Sequence, residues 1–440
     1  MGIDFVRWIA WGAVAFALTA CSERELILPG EREDVRAILP GGGAVELATD
    51  AGAASLPPIE VTRAWTHQAG VPDHNPGHAR LAAVPSLQWS TDIGSGDGRR
   101  ARITASPVSD GTRIYTMDSR SVITAVSTGG QILWSVDVTP AGDRSDSAFG
   151  GGLALSGGRL FATTGFGTLV ALDAASGAPI WTHNFRSVAS GAPTAVGDLV
   201  YAVTRNGLGW ALRASDGRVA WTVTGIETDA GILGGPSVAV ASDGLAVFPF
   251  SSGDLAGVDA ATGQTRWRGV IAGRRLEPVA ARINDMTGDP VIASDIVVAG
   301  THGGRSAAFD RTTGQEVWRS DEGAMAAPVV TGNSIFQVTD RNALVRLERA
   351  TGLLVWSQPL PKFRTQRPRR FEALFAHFGP ILAGGRLVVA SDDDALRFYD
   401  PSTGALTGQI NLPGGAATDP IVVGDTLYVV SETGRLHAFR

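Results

Sequence analysis

Asp310-Arg-Thr-Thr-Gly314-Gln-Glu-Val-Trp318 repeats a phrase met twice before it, as Asp173-Ala-Ala-Ser-Gly177-Ala-Pro-Ile-Trp181 and Asp259-Ala-Ala-Thr-Gly263-Gln-Thr-Arg-Trp267. Shorter copies keep the four-residue step from Gly to Trp at Gly130–Trp134, Gly217–Trp221 and Gly352–Trp356. Asp400-Pro-Ser-Thr-Gly404 keeps the turn residues but has Gly408 where the Trp belongs. Two apolar runs joined by a turn precede each phrase, as in Leu160-Phe-Ala-Thr-Thr, Gly165-Phe-Gly167 and Thr168-Leu-Val-Ala-Leu172. This reads as a hairpin with Gly at the positive-φ positions. The upstream run often opens with a small residue and Pro, as at Ser106-Pro107, Ala192-Pro193, Gly235-Pro236, Asp289-Pro290, Ala327-Pro328 and Asp419-Pro420.

Each unit therefore reads as four short strands, and the Trp positions recur every 38 to 52 residues, the spacing of propeller blades. Trp89 has no hairpin before it, while Leu427-Tyr-Val-Val and Leu436-His-Ala-Phe439 have no Trp phrase after them. Joined, they make one more blade. The expectation is an all-β fold: an eight-bladed β-propeller of four-stranded antiparallel blades over residues 61–440, closed by an N-terminal strand that completes the last blade and so removes the exposed edges. Trp89, Trp134, Trp181, Trp221, Trp267, Trp318 and Trp356 are expected to be structural, each buried between blades.

Composition agrees with a globular body. Of 440 residues, 44% are apolar and 18% charged, and 56 are Gly, well above the usual share of about 7% and consistent with many tight turns. A net charge of −6 argues against a nucleic-acid-binding body. Lys362 is the one lysine, so Schiff-base or Walker-type chemistry would rest on it alone. The one cysteine, Cys21, excludes disulfides, Cys-ligated zinc and a CxxC pair.

Trp8 to Ala20 is an apolar run of 13 residues, too short to span a bilayer but suited to the hydrophobic region of a signal peptide. Residues 1–20 are read as that signal. Leu18-Thr-Ala-Cys21 resembles the bacterial lipobox, which implies that Cys21 is acylated and anchors the chain in the outer membrane, facing the periplasm. Residues 21–60, with Pro29-Gly30, Pro40 to Gly43 and Pro57-Pro58, read as a flexible tether.

The Asp-x-x-Thr-Gly-x-x-x-Trp phrase resembles the repeat of the quinoprotein (PQQ-type) propellers over about residues 60 to 440, and Trp65-Thr-His67-Gln68-Ala-Gly70 is similar to the lead-in of that superfamily. One branch contains pyrroloquinoline-quinone dehydrogenases, which usually set the quinone over a vicinal Cys pair beside a calcium ion. A single Cys in the lipobox does not match that set, so no cofactor and no catalytic residue is expected. The other branch, the BamB family of non-enzymatic lipoproteins, is matched better. That resemblance implies a scaffold in the outer-membrane β-barrel assembly machinery, with the POTRA domains of BamA and unfolded outer-membrane proteins as partners.

Arg282-Ile-Asn-Asp285-Met-Thr-Gly-Asp289 is similar to the acidic interblade loop of this family. The resemblance makes Asp285 its first acid, with Thr287 where the second would stand and Asp289 as a substitute. The companion loop falls at residues 229–235, where Ile232 and Leu233 match but the Arg is missing. A ligand- or peptide-binding propeller lipoprotein remains a further alternative, because fold does not fix function.

Three smaller groupings remain. His67, His74 and His78 cluster before the first blade, but Pro76 prevents the helical turn that would put His74 and His78 on one face as a metal-ligand pair, leaving histidines that bond backbone or the underside of the ring. Asp392-Asp393-Asp394 reads as a tight turn, with calcium as the other reading. Lys362 to Arg370 holds five cationic residues, read either as a solvated loop or as an electrostatic contact.

Overall fold

The recurring phrase is a turn whose parts bond to one another. In Asp310 to Trp318 the Asp310 Oδ1 accepts the Thr313 N–H at 2.7 Å and the Thr313 hydroxyl at 2.8 Å. Asp173 does the same with Ser176, Asp259 with Thr262, and Asp400 with Thr403. These donors hold the carboxyls of Asp173 and Asp310 below the ordinary range, and at Asp259 the Arg266 guanidinium lowers the carboxyl together with the Thr262 donors. The Gly that follows takes positive φ, +70° at Gly314 and +72° at Gly352. That conformation suits Gly, but here it is also a seat. A Cβ on Gly352 would lie 2.4 Å from the Trp318 ring of the preceding blade, and one on Gly314 would lie 2.7 Å from Trp267.

The same relay links Trp89 to Gly130, Trp134 to Gly177, Trp181 to Gly217, Trp221 to Gly263 and Trp356 to Gly404. In each case the indole N–H also donates into the next blade, for example Trp318 to Arg349 O at 2.8 Å and Trp181 to Ala214 O at 2.9 Å. A bulge just before each Trp shifts the outer-strand register, as between Ala308 and Phe309 opposite Trp318.

The computed structural model describes residues 47–48, 51–99, 101–189, 191–226, 235–271, 286–365 and 374–440. Within them the chain forms eight four-stranded antiparallel sheets. Blades one to seven lie within residues 108–137, 151–184, 194–224, 239–270, 286–320, 329–359 and 377–411, each in chain order from inner to outer strand. Blade eight combines three strands within residues 421–439 with the strand Leu87–Asp92 as its outer edge, so the ring closes as the sequence predicts.

Closure also explains the missing Trp. An indole at Gly408 would need the third-to-fourth-strand turn of blade eight as its seat, and in that place the chain instead joins Ser86 and Arg440 by paired backbone bonds at 2.8 and 2.9 Å. The apolar core lies between neighbouring blades. Tyr115, Leu153 and Leu160 join blades one and two, and Phe248, Val203 and Tyr201 join three and four.

The expected tether to residue 60 is too long at its C-terminal end. Residues 51–56 are docked on blades six and seven, where Arg346, fully buried, donates to Gly52 O at 2.9 Å and to Ala51 O at 3.3 Å. Asn333 donates to the carbonyls of Ala51 and Ala53, both at 3.1 Å, and its Oδ1 accepts the Ser55 N–H at 3.0 Å. Arg346→Met should release this segment. A loss of about 1 to 3 kcal/mol in urea denaturation is expected, with new protease cleavage between residues 51 and 56; an unchanged digestion pattern would show that Arg346 does not hold the segment.

Candidate functional site

A four-stranded antiparallel blade puts its first and third turns at one end, and its middle turn and its connection to the next blade at the other. The ring therefore has two unlike faces. Residues 51–86 run around the first face as a girdle that bonds blade after blade. Thr62 pairs with Gly424, Trp65 with Ser109 and His67 with Ala195; the carbonyls of Thr66, Pro72 and Asp73 accept N–H groups from Leu155, Val240 and Ile292; and Ala79 pairs with Ala383. The three histidines are all buried here and bond backbone, His74 Nδ1 to Pro290 O at 2.8 Å and His78 Nδ1 to Pro57 O at 2.9 Å. A tight turn at its centre, with the Gly70 N–H donating to His67 O at 2.9 Å, carries Gln68 across the channel floor.

The second face opens into a cavity of about 550 Å³. Among the described residues its wall carries six carboxyl groups, Asp97, Asp289, Asp340, Asp392, Asp419 and Glu432, against two guanidinium groups, Arg102 and Arg364. Arg102 pairs with Asp97 at 3.0 Å, and Arg364 pairs with Asp392 and lies 3.5 Å from Glu432. Burial raises the Asp392 and Glu432 carboxyls despite these partners. Deeper in, burial pushes Asp419 up to about 6, the Gly379 N–H opposes this, and the Asp289 charge adds to it. The wall is thus acidic and concave, suited to cations.

Comparison with known proteins decides the family. The profile described as "Outer membrane protein assembly factor BamB" matches residues 119–358 and 364–440, more than two thirds of the chain. The chain belongs to the BamB family. A BamB from Yersinia pestis is 26% identical over 362 residues, covering 81% of this chain and 88% of its own. BamB from Escherichia coli K12 is 25% identical over the same length, with the same coverage. Among solved structures, BamB from Moraxella catarrhalis superposes with a TM-score of 0.65 at 20% identity, over 81% of this chain and all of that one. The quinohemoprotein alcohol dehydrogenase of Comamonas testosteroni reaches 0.64 at 15% identity, over 86% of this chain and 81% of that one, and so shares the fold.

For a BamB-family chain the expected docking residues fall as follows. Arg282, Asp285, Ile232, Leu233 and the lipobox Cys21 lie outside the described residues. The strands that flank them are described. In sequence, residues 227–234 lie between blades three and four and residues 272–285 between blades four and five; the described outer strands Val219–Thr224 and Thr265–Val270 that lead into them end on the face of the cavity mouth. Ile226 and Val270, at the exits of those outer strands, are exposed.

Asp289 corrects the loop reading. It belongs to the strand Met286–Ile292, is 3% exposed, and accepts the Ser237 N–H and hydroxyl, both at 2.5 Å, so it faces the interior and not a partner. Thr287 is likewise buried, donating to Ala324 O at 2.6 Å. Asp392 to Asp394 form the expected turn, with Asp394 at φ +61° and Asp393 bonded to Arg397. Sequence reasoning missed Asp419 as a cavity residue. Its signal was present, since Asp289 and Asp419 are the two acidic members of the residue-before-Pro series.

Proposed function

We propose that this protein is a non-catalytic scaffold of outer-membrane protein assembly, anchored through Cys21 to the outer membrane, facing the periplasm, and docked on the POTRA domains of BamA while unfolded barrel proteins pass to the insertion site. The observation that carries this reading is the match of the assembly-factor profile across the propeller, supported by relatives that bear the same name. The ring supplies what a scaffold requires. Its blades are rigid, its edges are closed, and the connections that hold Ile232, Leu233, Arg282 and Asp285 spring from neighbouring blades. Loops on a rigid frame keep their spacing when a partner binds, which limits the ordering cost of association.

The test is capture of BamA by the tagged full-length protein in mild detergent, comparing the native chain with a variant carrying Ile232→Ser, Leu233→Ser and Asp285→Ala. A loss of at least tenfold in recovered BamA, with an unchanged melting temperature, is the expected result. Undiminished recovery would place the interface elsewhere, and no recovery by the native chain would remove the assembly role.

A further inference from the structure

Seven of the eight blades open their inner strand with a residue followed by Pro: Ser106, Ala192, Gly235, Asp289, Ala327, Gly379 and Asp419. Five of these residues are small, as close packing around a propeller axis requires. Two are carboxylic acids, in blades five and eight, and both border the cavity.

Neither acid meets a cation. Asp289 accepts from Ser237 and, through Oδ2, from Gln68 Nε2 at 3.4 Å. Asp419 accepts the Gly379 N–H at 2.6 Å. No described Arg, Lys or His forms an ion pair with either one, although a buried carboxylate is ordinarily paired. A second feature points the same way. Thr418, in the same cavity wall and 2% exposed, has a buried Oγ1 with no hydrogen-bond partner among the described residues. The site thus offers two carboxylates and a free hydroxyl and, among the described residues, no cationic side chain to match them.

We infer that the channel is a binding site for an alkylammonium group, received by Asp289, Asp419 and Thr418. An ammonium brings three donors and a full positive charge, which matches two carboxylates and a hydroxyl. A metal ion is matched less well, because no three acidic or histidine side chains converge on one point among the described residues. The same cavity is lined by Met325, Val338 and Phe378, apolar surface for the attached chain, and is large enough to enclose a small molecule. The site faces the axis and uses none of the interblade residues assigned to BamA, so it stands or falls independently of that role.

Calorimetric titration of the full chain in detergent micelles with spermidine, and separately with a lysine-containing tripeptide, tests the site. Saturable binding is expected for at least one probe, and the one that binds identifies the ammonium as that of a free polyamine or of a side chain. Asp289→Asn and Asp419→Asn should each weaken it at least tenfold. Thr418→Val, which keeps the shape, should weaken it several-fold with an unchanged melting temperature. Absence of binding by both probes, affinity unaffected by the two Asn variants, or stoichiometric displacement by calcium chloride would overturn the assignment.

Discussion

Trp318→Ala should lower the stability of the ring by about 3 to 5 kcal/mol, the loss typical of a buried Trp. Its indole is 7% exposed, fills the gap between blades five and six, and donates to Arg349 O at 2.8 Å, a carbonyl that truncation leaves without this donor. The opposite side of the same contact gives a sharper test. Gly352→Ala places a Cβ 2.4 Å from the Trp318 ring at φ +72°, so it combines a left-handed backbone cost of about 1 to 2 kcal/mol with a clash that only movement of the blades can relieve. In the Trp318→Ala background the clash is gone and the backbone cost alone remains. Urea denaturation of the four proteins should therefore show strong non-additivity, the double variant being more stable than the sum of the two single losses implies. Additive losses would mean that Gly352 does not seat Trp318.

The reason the phrase was legible in the sequence is that its chemistry is local. Asp310, Thr313 and Gly314 close a turn within five residues, and a turn of that kind declares itself by residue type. What Gly314 and Gly352 do across the blade boundary could not be read the same way, since the contact joins residues some 34 to 47 positions apart. Gly408 was visible as an exception, and its cause became clear only when Ser86 and Arg440 were found where the seat should be.

The girdle was illegible for a related reason. Residues 51–86 show neither strand nor helix period because each stretch bonds a different blade, so the pattern that would reveal it belongs to the ring as a whole. Asp289 was misread because an acid beside Gly288 suits a loop equally well, whereas its register in the strand Met286–Ile292 turns it toward the axis.

The girdle makes the fold sensitive to acid, and His67 should account for much of that sensitivity. His67 is 2% exposed; its Nε2 accepts the Ala195 N–H at 3.1 Å and its Nδ1 lies 2.8 Å from the Thr66 hydroxyl. Burial, with His74 nearby disfavouring a second positive charge, lowers it from 6.5 to about 3, and the Ala195 carbonyl only partly offsets this. The imidazole is therefore neutral in the fold at pH values where the unfolded chain takes up a proton. Its contribution to stability is complete above pH 6.5, falls as the pH drops, and is gone near pH 3. At 1.36 kcal/mol per pKa unit the loss reaches about 2 kcal/mol at pH 5.

Asp419 acts in the opposite sense. Raised to about 6 from 3.8, it disfavours the fold at neutral pH, and that cost is relieved as the pH falls through 6 toward 3.8. The two must be separated by comparison. His67→Gln keeps an acceptor for the Ala195 N–H and cannot titrate, so the native chain should lose about 2 kcal/mol more than the variant between pH 7.5 and 5. Parallel stability curves for the two proteins would show that His67 does not couple the girdle to pH, and the acid sensitivity of the ring would then have to arise in other groups, among them His377 and His437, whose pKa values burial also lowers.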